Sequence, residues 1–288
     1  MADYVILADS ACDILPPVLN TWGVECIMMS FTFDDSDREY AGDDLSAAEF
    51  YQHMRQGRVA RTSAVNVETF RDAFTAQLRQ GRDILYLGFS SGLSSTYAAA
   101  ELAAASLKDS YPDRRILTVD SLAASGGYGL LVYLTAQKQR QGASLGEAAR
   151  YAEDTRLRVC HWFTVDDLVY LKRGGRVSAA TALVGGILGV KPVLHVDNEG
   201  HLINVLKVRG RKVSLRTLVD QYDALALEPA GGTVFISHGD CPADAEALAG
   251  LLKERHGIGV TLTVDIGPII GAHSGPGTLA LFFLGKER

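Results

Sequence analysis

The chain has 288 residues, 47% hydrophobic and 22% charged, with a net charge of −6. That length suggests about two domains, each able to bury its own core. The acidic balance excludes an overall basic footprint, so no nucleic-acid partner is expected and any electropositive site must be local.

The opening MADYVILADS lacks the basic segment and long apolar stretch of a signal peptide, which predicts a cytoplasmic protein. Two stretches are free of Lys, Arg, Asp and Glu: VSAATALVGGILGV, and GPIIGAHSGPGTLALFFLG. The first is too short to span a bilayer and the second is broken by Gly, Pro, Ser and His, so no stable membrane insertion is expected. Cys12, Cys26, Cys160 and Cys241 form no C-x-x-C pair and match no metal spacing. They read as reduced, packed thiols, and no metal or other cofactor is expected.

In chain order, β-rich runs alternate with helical patterns. YVILAD is followed by DILPPVLNTWG, DILYLGF by STYAAAELAAASLKD, and RILTVD by SLAASGGYGLLVYLTAQKQRQG. Such alternation predicts parallel strands covered by helices. The strands lead into the polar turns ADSACD, GFSSGLSST and VDSLAASGG, and open α/β sheets bind ligands beyond the carboxyl ends of their strands. After a helix over SLGEAARYAEDTRLR the texture changes. CHWFTV reads as a strand, DDLVYLKRGG as a short helix ended by glycine, and SAATALVGGILG as a small-residue helix. KPVLHV and HLINVLKV form a hairpin across DNEG. Helices over KVSLRTLVDQYDALAL and PADAEALAGLLKERHG then alternate with strands in GTVFISHG, GVTLTVDIG and TLALFFLG. The fold expected is an N-terminal parallel-sheet α/β domain over 1–158 and a C-terminal α+β domain over 159–288.

The serine turn GFSSGLSSTY supports three readings. Gly88-Phe89-Ser90-Ser91-Gly92 fits the G-x-S-x-G nucleophile elbow of a serine hydrolase, with Asp240 or Asp265 and then His273 completing a triad in chain order. No oxyanion motif of the H-G-G-G type lies upstream. Alternatively the turn cradles an anion that never reacts with it: Ser95 or Thr96 caps the following helix, whose free N–H groups carry partial positive charge. The third reading makes these residues turn formers alone. Thr62 and Ser63, ahead of a helix opened by Asn66, and His273, in a glycine-rich loop, could add polar groups. Small-residue stretches such as AASGGYGLL leave room for a long apolar pocket. Lys172, Arg173 and Arg176, with Lys207, Arg209, Arg211 and Lys212, form two basic clusters that could receive a phosphate or an acidic partner. No G-x-x-x-x-G-K-[ST] loop is present, so the chain is not expected to be a kinase by itself.

One set of ordered motifs resembles a known family. Asp9-Ser10, Thr62-Ser63, SSGLSSTY, DSLAASGG, LKRGGRVS, Lys191-Pro192, KVRG and HSGPGT occur in the order seen in the DegV family of bacterial lipid-binding proteins. The resemblance implies an α/β and an α+β domain with a long-chain fatty acid held between them. It places the fatty-acid carboxylate against Thr62, Ser63, Ser94 and His273, and the anion-cradle reading of the turn adds Ser95. Some family members carry the acyl chain for a bacterial fatty acid kinase, in which a separate ATP-using subunit phosphorylates the carboxylate for phospholipid synthesis. By that similarity Arg173, Arg176 and Arg209 would contact the kinase or the phosphate, and the chain itself would be no enzyme. Two readings stay beside it: the hydrolase using Ser90, and a lipid sensor or transport protein without a kinase. The chain departs from the family pattern where TSQPS becomes TSAVN, with Ala64 and Val65, and where GLSGTY becomes GLSSTY, with Ser95 at a common glycine position.

Overall fold

The computed structural model describes residues 4–177 and 189–288. The predicted small-residue helix SAATALVGGILG lies outside the described residues except for its last glycine.

The first half builds two sheets. β1 (Tyr4–Asp9) leads through a 3-10 turn (Ser10–Cys12) to α1 (Pro16–Trp22), then β2 (Val24–Ile27). β3 (Ser30–Phe33), β4 (Glu39–Ala41), α2 (Ala47–Arg55) and β5 (Ala60–Ser63) follow. Next come α3 (Val67–Leu78), β6 (Asp83–Gly88), α4 (Thr96–Leu107), β7 (Ile116–Asp120), α5 (Ser125–Arg140) and α6 (Leu145–Arg156). The predicted parallel sheet is present as β2-β1-β6-β7. Its strands β1, β6 and β7 deliver the three polar turns to one carboxyl edge. Between residues 24 and 63, where no element was predicted, the chain adds β2 to this sheet and folds β4-β3-β5 into a small antiparallel sheet. Phe31 and Phe33 anchor that sheet through ring contacts with Tyr40 and Phe50.

The second half builds a six-stranded sheet from β8 (Val159–Thr164), β9 (Val190–Val196), β10 (Leu202–Arg209), β11 (Val234–His238), β12 (Leu262–Asp265) and β13 (Leu279–Leu284). Its order is β10-β9-β8-β13-β11-β12, antiparallel throughout except for the β11–β12 pair. The helices here are α7 (Val169–Arg173), α8 (Arg211–Leu225), α9 (Pro242–His256) and α10 (Pro268–Ser274). Every strand of this sheet follows residue 158, and every strand of the other two precedes it. We propose that the domain boundary falls there.

Period-two alternation gives the large sheet two buried faces. Cys160, Trp162, Leu281 and Phe283 share one core with Leu215, Leu218 and Tyr222 of α8 and Leu248 and Leu252 of α9. Phe163, Ala280 and Phe282 point the other way, into the core that includes α5 and the parallel sheet. α5 is therefore buried between the two sheets: every residue from Ser125 to Val132 is buried. Gly126 and Gly127 permit this, because a Cβ on either would strike Ser237, Phe282 or His161.

Phe235 of β11 locks the halves together against Trp22 of α1 and Tyr133 of α5, at ring separations of 6.4 and 5.8 Å. Phe235→Ala should cost about 3–5 kcal/mol, read as a lower midpoint in denaturant unfolding followed by tryptophan fluorescence.

Candidate functional site

The polar turns do not stand free; buried hydrogen bonds hold them. Asp9, fully buried at the end of β1, accepts from the Tyr86 hydroxyl at 2.7 Å, the Phe89 N–H at 2.9 Å, the Ala11 N–H at 3.1 Å and the Tyr128 hydroxyl at 3.2 Å. Burial pushes its carboxyl above the ordinary range, and these donors oppose the shift. Asp9 thus fixes the start of the serine turn through Phe89.

Beyond these turns lies a cavity of about 300 Å³, walled by both halves of the chain. Phe89, Leu93, Phe163, Ile269, Ile270 and Phe282 give it an apolar lining, and Thr62, Ser94, Ser95, His273 and Arg176 supply polar groups. Thr62 and His273 meet at 2.8 Å, Oγ1 to Nε2, although 211 residues separate them. Ser94 Oγ lies 2.9 Å from Thr96 Oγ1 and accepts the Thr96 N–H at 3.2 Å. Thr96 Oγ1 in turn accepts the Val65 N–H at 3.3 Å, tying the Thr62 segment to the serine turn. Arg176 donates from Nε to the Leu93 carbonyl at 3.1 Å and also bonds the Gly174 carbonyl.

Burial, with the nearby Arg176 charge, pushes His273 down to about 4. The ring is therefore neutral at pH 7. Its Nδ1 faces Gly174, where an added Cβ would lie 2.2 Å away. This explains the first glycine of LKRGG; the second, Gly175, has φ +71° and needs glycine for its backbone alone.

Four of the sequence-predicted ligand residues, Thr62, Ser94, Ser95 and His273, line the cavity. Ser63 does not: it is exposed, and as Thr62's neighbour on β5 its side chain points to the opposite face. Ser95 occupies the position before α4 with φ −77°, so its departure from glycine brings no strain, and its side chain makes no capping bond. Of the three arginines, Arg176 reaches the cavity, whereas Arg173 and Arg209 are exposed and line no part of it. The predicted glycine-rich loop around His273 is the short helix α10, started by Pro268 at its first position. Sequence reasoning missed Ser125 and His161 as lining residues. The DSLAASGG turn pointed toward Ser125; nothing in CHWFTV marked His161.

The hydrolase reading fails on geometry. Ser90 is fully buried and donates to the Gly200 carbonyl at 2.9 Å, and among the described residues no histidine is hydrogen-bonded to it. His273 bonds Thr62 instead, Asp240 pairs with Arg55, and Asp265 lies 3.3 Å from His238. Helix α4 begins six residues after Ser90, too late for a sharp nucleophile elbow. The described residues contain no cluster of metal-ligating side chains and no helix long and apolar enough to cross a membrane.

Gly174→Ala should displace the His273 ring, read as a shift of its imidazole resonances in a chain that still folds. Because His273 stays neutral in the fold down to about 4, only the unfolded chain takes up its proton between there and 6.5. Stability should therefore fall as pH drops through that window. Unfolding curves at pH 7 and 5 should show a smaller loss in His273→Gln than in the parent.

A family model described as "Uncharacterised protein, DegV family" matches residues 3–286. A DegV domain-containing protein of Clostridium perfringens is 40% identical over all of this chain and 99% of its own length. The solved structure of a DegV lipid binding protein from Thermotoga maritima superposes with a TM-score of 0.86, at 28% identity and full coverage of both chains. A stearic acid-binding protein from Eubacterium ventriosum superposes with a TM-score of 0.88, at 25% identity and 98% coverage of each chain. Sequence motifs, fold and matches agree: the chain belongs to the DegV family.

Proposed function

We propose that this protein binds a long-chain fatty acid, with its carboxylate against Thr62, Ser94, Ser95 and His273 and its acyl chain in the apolar part of the cavity. The observation that carries this reading is one cavity combining aliphatic and aromatic walls with clustered hydroxyl and imidazole groups. Each buried methylene contributes about 0.8 kcal/mol, so a long chain gives most of the affinity. A buried carboxylate must be paired or hydrogen-bonded. Hydroxyls can donate to it without burying a full ion pair, and Arg176 lies close enough to the cluster to favour a negative charge. The solved relatives whose descriptions name lipid or stearic acid as ligand support the same reading.

The chemistry that follows binding belongs elsewhere. Ser90 is committed to Gly200, so it is not the nucleophile that G-x-S-x-G suggests. We propose that the protein is a non-catalytic carrier presenting the carboxylate to a separate ATP-dependent kinase subunit, which forms the acyl phosphate. Exposed Arg173 and Arg209 suit contact with that subunit, whereas Arg176, at the cavity, suits the carboxylate or the phosphate it becomes.

Replacing Thr62 and Ser94 together with alanine should weaken stearate binding roughly 100-fold or more, since hydrogen bonds to a charged group contribute about 1.5–3 kcal/mol each. The thermal midpoint should change little. Unaltered affinity in a titration would remove the assignment. Acyl phosphate should form only when the kinase subunit and ATP are both added; product from the chain alone would contradict the carrier role.

A further inference from the structure

Two motifs that the carboxylate site leaves unexplained, ADSACD and DSLAASGG, meet at one buried side chain. Asp13 closes the turn after β1, is 7% exposed, and accepts from Ser125 Oγ at 2.6 Å and from the Gly267 N–H at 2.9 Å. Ser125 opens α5 and lines the cavity; Gly267 immediately precedes α10, the helix that carries His273. A single carboxyl thus spans two walls of the cavity, one from each half of the chain.

The backbone around it is unusual. Asp13 has φ +57° and Ser125 has φ +54°, and only four non-glycine residues among those described have positive φ. The left-handed region disfavours any residue with a Cβ, and such residues persist where the surroundings over-determine them. Here two of the four are hydrogen-bonded to each other. Gly267 fits the same junction, since a Cβ there would stand 3.1 Å from Asp13 Oδ1. The neighbouring backbone is held as well: the Tyr51 hydroxyl donates to the Ile266 carbonyl at 3.0 Å. Asp13 adds a hydrogen-bonded link from this segment to α5.

Resting on the fatty-acid reading above, we infer that Asp13 is a positioning residue for the carboxylate site: by holding Ser125 and Gly267 together it sets where α10 places His273 against Thr62. The clamp needs hydrogen bonds rather than charge. Burial pushes the Asp13 carboxyl up to about 8, and a neutral carboxyl keeps both contacts, accepting from Gly267 and donating to Ser125. Asparagine has the same acceptor and donor set and tolerates the left-handed region. Glycine relaxes the backbone but removes both contacts.

Two variants separate these terms. In ligand-free protein, Asp13→Gly should shift the His273 imidazole resonances, while Asp13→Asn should leave them near their original positions. Stearate affinity should fall about tenfold or more in Asp13→Gly and stay within about threefold in Asp13→Asn. Unchanged His273 resonances and affinity in Asp13→Gly would overturn the proposal, as would equal losses in both variants. Should Asp13→Gly not fold, Ser125→Gly breaks the clamp from the other side with a relaxed backbone and takes the same readouts. If the parent protein takes up no stearate, the fatty-acid reading fails; the ligand-free resonances still decide for or against the clamp.

Discussion

The contact on which the site depends is the one between Thr62 and His273, 2.8 Å apart and 211 residues apart in sequence. Thr62 comes from a small antiparallel sheet in the first half; His273 comes from a seven-residue helix wedged before the last strand. Neither segment forms the site without the other. A carboxylate drawn into an apolar cavity needs donors already in place, because ordering them at the moment of binding would consume the affinity gained from the chain. The fold meets that requirement by tying each contributing turn down beforehand.

Asp9 and Asp13, four residues apart, do much of this tying. Asp9 receives four donors and holds the beginning of the serine turn; Asp13 receives two and joins α5 to the segment ahead of α10. Both are acids in a core, which is costly unless every oxygen is bonded, and here both oxygens of each are. The polar core around the cavity is thus a scaffold for the turns, distinct from the groups that face the cavity. That distinction also explains Ser90, whose place in G-x-S-x-G suggests chemistry but whose hydroxyl docks the Gly200 turn onto the serine turn.

Much of the architecture was legible because it follows from periodicity. YVILAD, DILYLGF and RILTVD form adjacent parallel strands, and their polar turns share the carboxyl edge of that sheet. Residues 24–63 were not legible: β2 to β5 are three or four residues long, too short for alternation to stand out, and are held by long-range pairing. The helix carrying His273 was hidden by its glycines, which read as loop although Pro268 starts it and the surrounding walls pack it. Within the site, residue types and motif order indicated Thr62, Ser94, Ser95 and His273, whereas Ser63 shows that a two-residue motif can place one member on the far face of a strand. Separating Arg176 from Arg173 and Arg209 required three-dimensional information, since all three sit in basic clusters of similar composition.

The proposed function requires this cavity to hold a fatty acid by noncovalent burial of the chain and hydrogen bonding of the carboxylate. Mass spectrometry of the purified protein under native conditions and again after denaturation reads this out. An added native mass matching a long-chain fatty acid that disappears on denaturation is expected. A protein that is empty, and remains empty after incubation with long-chain fatty acids, would contradict it.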